Sequence, residues 1–163
     1  MLIKGIIDED FVNYKDPSMF INTATCSFKC DKECGRSICQ NGHLAKLPSI
    51  NINVETIVNR YILNKITRAV VFGGLEPMDQ IDDVLLFLLA LRTSYGYECN
   101  DDVVIYTGYT KEELEDKGVI DLLKKFKNII IKFGRFVPDQ QSHFDKVLGV
   151  NLASGNQYAE RIS

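Results

Sequence analysis

Three short apolar runs constrain this chain more than any other feature: Ala69-Val70-Val71-Phe72, Val103-Val104-Ile105-Tyr106 and Ile129-Ile130-Ile131-Lys132-Phe133. Runs of this length suit strands buried on both faces, as in sheets covered by other layers. Stretches with helical spacing precede each run. Val54, Ile57, Val58, Tyr61 and Ile62 recur at three- and four-residue intervals before the first, and Ile81 to Leu91 reads as an apolar helix before the second. Ahead of the third, Thr110 is placed to cap a helix with Glu113 three residues on, and Ile120 to Phe126 forms a further helical piece. Met19 to Thr25 is rich in strand formers and supplies an earlier strand. Hairpins would join strands by turns of about two to five residues, whereas this alternation requires helical crossovers. The expected class is therefore α/β, with a mainly parallel sheet and helices packed against it.

A chain of 163 residues has room for one ordinary core, since domains run to roughly 100 to 200 residues, and residues 1–163 are read as a single domain. With 45% hydrophobic and 25% charged residues, the composition excludes the disordered, charge-rich class. A formal net charge of -3 gives no electrostatic footprint for following a phosphate backbone, so nucleic acid is not an expected partner. The N-terminus turns acidic at Asp8, unlike a signal peptide, and the longest apolar run, Val84 to Leu91, is far shorter than the roughly 20 residues of a membrane-spanning helix. A cytoplasmic location and no membrane association are expected. After Phe136, turn formers surround a short apolar piece, Val147 to Leu152, which reads as an ordered tail over about 137–163.

Four of the five cysteines, Cys26, Cys30, Cys34 and Cys39, fall in the polar loop after the first strand. An odd count without a secretion signal argues against a disulfide framework and for metal binding. Clustered thiolates suit iron–sulfur clusters or zinc. The spacings of three, three and four intervening residues are not paired two-residue knuckles, and His43 is the only histidine nearby, yet four cysteines could enclose a structural zinc. Inert core cysteines fit less well, because the loop is full of Lys, Asp, Glu and Arg. Ligands of parallel α/β sheets bind beyond the carboxyl ends of the strands. Three unusual segments share that edge: the cysteine loop, Gly73-Gly74-Leu75-Glu76-Pro77, and Thr107-Gly108-Tyr109-Thr110. Taken singly, the second could be a plain turn with Pro77 opening a helix, and the third a capped helix start. His143, Cys99, Asp82, Asp83 and the acidic run Glu112 to Asp116 read as packed or solvated residues.

The cysteine loop resembles that of radical S-adenosylmethionine enzymes, in particular the small activating proteins of anaerobic ribonucleotide reductases. Their signature has cysteines separated by three and then two residues, the last often followed by His-Asn. Cys26-Ser27-Phe28-Lys29-Cys30 matches the first pair, but Glu33 stands where the third cysteine is expected. The third ligand is then Cys34 or Cys39. Cys39 is preferred, because Cys39-Gln40-Asn41 repeats the asparagine two residues on, while Gly35-Arg36 follows Cys34. Phe72-Gly73-Gly74-Leu75-Glu76-Pro77 is similar to the family's Gly-Gly-Glu-Pro segment, with Leu75 in place of a glycine. Val104 to Leu114, Gly134-Arg135-Phe136 and Leu148 to Gln157 also resemble segments of the activating proteins, in the same order.

The resemblance implies a partial (βα) barrel with helices on its outer face, and a four-iron cluster held by Cys26, Cys30 and Cys39. It further implies that S-adenosylmethionine binds near Phe28, Asn41, Gly73, Gly74, Glu76, Thr107 and Gly108, with the glycine carbonyls and Glu76 around the methionine ammonium. The activity implied is reductive cleavage to a 5′-deoxyadenosyl radical, which abstracts hydrogen from a glycine of a large partner, an anaerobic ribonucleotide reductase. A flavodoxin or ferredoxin would supply the electron. Two alternatives remain: a divergent enzyme of the same superfamily acting on another peptide or a small molecule, and a non-enzymatic zinc-binding interaction module.

Overall fold

A computed structural model describes residues 1–93 and 99–163. Four strands form the parallel centre of one sheet: β2 (Ser18–Thr23), β4 (Ala69–Gly74), β5 (Asp102–Tyr106) and β6 (Ile129–Phe133). Three antiparallel strands extend it. They are β1 (Leu2–Asp10), the two-residue β3 (Ile50–Asn51) and β9 (Tyr158–Arg161), giving the order β3-β1-β2-β4-β5-β6-β9. β3 and β9 do not pair with each other, so the sheet is open. A separate hairpin joins β7 (His143–Asp145) to β8 (Val150–Leu152) within the tail.

The fold is of the expected α/β class, and the two faces of the central strands separate by the period of two that a pleated strand imposes. Met19, Ile21, Val70, Phe72, Val103, Ile105, Ile129 and Ile131 pack into one core with the helices. These helices are α2 (Val54–Leu63), α3 (Ile81–Thr93), α4 (Lys111–Asp116) and α5 (Val119–Leu123), so all four cover the same face. Phe72 and Phe87 meet there edge to face, with centroids 5.0 Å apart. The short α1 (Lys29–Cys34) has no buried residue and belongs to the cysteine loop.

On the opposite face, Phe20, Ala69, Val71, Val104 and Ile130 pack under Tyr14, Leu148 and Leu152. This second cluster covers only part of the strands. Two residues further along each strand, the same face presents Asn22, Gly73, Tyr106 and Lys132, in adjacent register between Asn22 and Gly73 and between Tyr106 and Lys132. An apolar floor thus turns into a polar one at the carboxyl ends. In the tail, Asp145 accepts from Val147, Leu148 and Ala159, and β9 adds to the sheet beside β6. No helix among the described residues is long and apolar enough to cross a membrane.

Candidate functional site

The polar end of that face opens into a cleft of about 510 Å³. Its walls come from the cysteine loop after β2, the glycine turn after β4, the Thr107 loop after β5 and the Gly134-Arg135 turn after β6. Of the residues that the sequence singles out, Cys26, Cys30, Cys39, Asn41, Gly73, Gly74, Glu76, Thr107 and Gly108 all border it. Phe28 does not. It adopts a left-handed conformation (φ 52°) at the start of α1, and its N–H donates to Cys26 Sγ at 3.2 Å.

Each part of the cysteine loop has its own anchor. Beyond β2, the Gln80 side-chain oxygen accepts from Ala24 and Thr25, and Asp79 Oδ2 accepts from the Ser27 N–H at 2.6 Å. The other Asp79 oxygen takes the Tyr109 hydroxyl at 2.6 Å, which ties the first cysteine to the Thr107 loop. Helix α1 is held by Lys29 and Glu33. Lys29 pairs with Glu113 at 3.3 Å, and Arg135 reaches both Glu113 at 2.7 Å and Glu33 at 3.2 Å. Glu113 is lowered to about 2, mainly by the Arg135 hydrogen bond. The last turn of the loop is fixed by Asp31, which accepts from Ile38 and Cys39, and by Asn41, whose side chain donates to Gly74 O at 2.7 Å.

Cys34 is exposed, at the end of α1, and does not border the cleft. A zinc site built from all four clustered thiols therefore finds only three on the cleft. Among the described residues, no three His, Cys, Asp or Glu side chains converge closely enough to hold one metal ion. A multi-iron cluster is broader than a single ion, and three soft thiol donors around one open cleft fit it. Burial pushes the Cys26 thiol up to about 12 and, with Cys39 and Asp31 alongside, Cys30 up to about 11. Both are protonated at neutral pH, and a metal held there would have to displace the proton.

The glycine turn and the acidic residue beside it are closely built. A Cβ on Gly73 would lie 2.6 Å from the Phe20 ring, and Gly74 has φ +80° with Asn22 against it. Glu76 Oε1 accepts from Thr107 Oγ1 at 2.7 Å and Met78 N at 3.0 Å, while Oε2 accepts from Gly108 N at 2.8 Å. Burial raises its carboxyl against these three donors. A carboxylate has about four acceptor positions, so roughly one remains for a ligand.

Sequence reasoning missed Lys132. Its ammonium is buried, donates to Gly134 O at 2.8 Å and Thr107 O at 3.4 Å, and has no salt-bridge partner among the described residues. Burial lowers it to about 8, with the Glu76 charge opposing that fall. The signal was in the strand: Lys132 follows Ile130 by two and so shares its inward face. In the sequence Gln157 stands out only as part of a tail patch. It borders the cleft and donates to Gly134 O at 3.2 Å, bringing the tail to the site.

A family model described as a 4Fe-4S single cluster domain matches residues 18–157. No curated protein and no solved structure matches the chain.

Proposed function

The chain belongs to the family of 4Fe-4S single cluster domains, and from that premise we propose that it is a radical S-adenosylmethionine enzyme. The observation that carries this reading is the meeting, on one cleft, of three cysteine side chains with the glycine turn, Glu76 and Lys132. Cys26, Cys30 and Cys39 would hold the cluster, and three thiolates leave one iron of a four-iron cluster open to a ligand. When bound, the cluster supplies the electron that cleaves S-adenosylmethionine reductively to methionine and a 5′-deoxyadenosyl radical.

The protein's own groups bind and orient. Gly73 and Gly74 let the β4 backbone approach the cofactor, since a side chain at either position would strike Phe20 or Asn22. The remaining acceptor position of Glu76 suits the methionine ammonium. Lys132 suits the carboxylate, because a buried ammonium that meets only carbonyls gains a charge-assisted partner. The helices cover the outer face and the ligand lies on the inner one, as in part of a barrel wall.

The reading extends to a protein substrate. The cleft is open, and Ile7 and Asn13 on its border flank Phe11 and Val12, which are 65% and 74% exposed. A large partner could cover this rim and present a backbone glycine; an anaerobic ribonucleotide reductase is the partner proposed, with flavodoxin or ferredoxin as electron donor and the cytoplasm as the location. Anaerobic reconstitution tests the chemistry: iron and sulfide near four each per chain, and 5′-deoxyadenosine formed from S-adenosylmethionine under dithionite, are expected. Zinc retained in place of iron, with no cleavage, would refute it.

A further inference from the structure

The chain holds eight residues between Cys30 and Cys39, and the structure returns the second thiol to the same cleft as the first. Helix α1 starts after the left-handed Phe28 and stops at Gly35, with φ +68°. The helix backbone alone does not bring back a residue five positions beyond its end. One side chain of the helix reaches across the loop to the returning segment. Asp31 lies next to Cys30 in sequence, and its Oδ1 accepts from the Ile38 N–H and the Cys39 N–H, both at 2.8 Å. Two successive amides on one oxygen fix the orientation of the peptide unit that carries Cys39. The same oxygen is 4.0 Å from Cys30 Sγ, and the Cys30 and Cys39 thiols are near enough to interact. On the far side, Gly42 N donates to Cys39 O at 3.2 Å and Asn41 is held by Gly74.

We propose that Asp31 is the positioning residue for the third cluster thiolate: its carboxylate folds the long loop so that Cys39 stands beside Cys30 on the cleft, which Cys34 does not border. The inference rests on the cluster reading above for its purpose, but its geometry concerns the metal-free chain. A carboxylate beside thiolates is electrostatically unfavourable, and the two N–H donors offset that cost. Loss of the donor–acceptor geometry and loss of the charge therefore have separate consequences. Asp31→Ala removes both, whereas Asp31→Asn keeps an acceptor oxygen and removes the charge.

The test uses the full chain in a Cys34→Ala background, so that Cys34 cannot substitute. After anaerobic reconstitution, Asp31→Ala is expected to lose iron to a chelator roughly 10-fold faster or more, the usual scale for removing a group that orients a metal ligand. Asp31→Asn should stay within about twofold of the parent, with a more positive cluster midpoint potential because a nearby negative charge is gone. A second measurement needs no cluster. Metal-free chains with Cys34 intact, oxidised with diamide, are mapped by mass spectrometry. The parent and Asp31→Asn should give mainly the Cys30–Cys39 disulfide, and Asp31→Ala a mixture involving Cys34. Unchanged iron release together with an unchanged Cys30–Cys39 disulfide in Asp31→Ala would overturn the proposal. Failure of every chain to take up a cluster, with disulfide pairing still dependent on Asp31, would sustain the positioning role and sink the cluster reading instead.

Discussion

Lys132→Met should stabilise the metal-free protein at neutral pH and, under the proposed function, weaken binding of S-adenosylmethionine. The lysine is buried on the cleft floor, and its ammonium meets two carbonyl oxygens with Glu76 and the Tyr106 ring nearby. Burial lowers it from 10.5 to about 8, a difference worth roughly 3 kcal/mol against the charged form. The unfolded chain holds this proton more tightly than the folded one. Between pH 8 and 10.5 the unfolded state therefore binds more protons, and this residue makes stability rise with pH; below pH 8 the full penalty is present. Methionine has a similar length and carries no charge, but it gives up a hydrogen-bond donor worth about 1 kcal/mol. At pH 7 the variant should thus be more stable by about 2 kcal/mol, and near pH 10.5 less stable by about 1 kcal/mol. Urea unfolding of reduced, anaerobic, metal-free protein, followed by circular dichroism, measures both ends. The raised Cys26 and Cys30 thiols bend each profile the opposite way, but they are common to both proteins and cancel in the difference. A difference that is flat between pH 7 and 10.5, or a variant less stable at pH 7, would refute the reasoning. Under the proposed function the same change removes a charge-assisted contact, and affinity for S-adenosylmethionine should fall about tenfold or more in equilibrium binding.

Cys39→Ala should abolish cluster retention while Cys34→Ala keeps it, read as iron and sulfide per chain after anaerobic reconstitution; the reverse result would make Cys34 the third ligand. Gly73→Ala forces a Cβ to 2.6 Å from the Phe20 ring, and overpacking of this kind costs about 1 to 3 kcal/mol in urea unfolding. A loss below a few tenths would show that the ring yields freely. Tyr109→Phe deletes the hydroxyl that Asp79 accepts while Asp79 still holds Ser27, so about 1 kcal/mol of stability should go. Iron release from the reconstituted protein should also quicken, and an unchanged release rate would separate Tyr109 from the loop it is argued to brace.

The centre of the fold was legible because its strands are buried on both faces, so that four residues such as Ala69 to Phe72 announce a strand without any partner. The added strands were not. β1 is broken by irregularities between Ile3 and Gly5 and between Ile7 and Asp10, which scramble the period of two, and β3 has only two residues. Strand β9 is short and half exposed, so its pairing with β6 depends on the tail being carried back to it. The same distinction runs through the site. Gly73, Glu76 and Thr107 stand at strand ends, and local sequence places them on one edge. Lys132 could have been found by the same counting, two residues beyond Ile130, but an apolar run draws the eye past its single charge. Cys39 is of another kind. Its position follows from a bond across the loop to Asp31, a residue whose type is ordinary for an exposed helix and whose partners are backbone amides with no signature in the side-chain sequence. The spacing of cysteines therefore constrains a cluster site only through the loop that joins them, and a longer spacing remains compatible with the same three-thiol arrangement where a side chain shortens it in space.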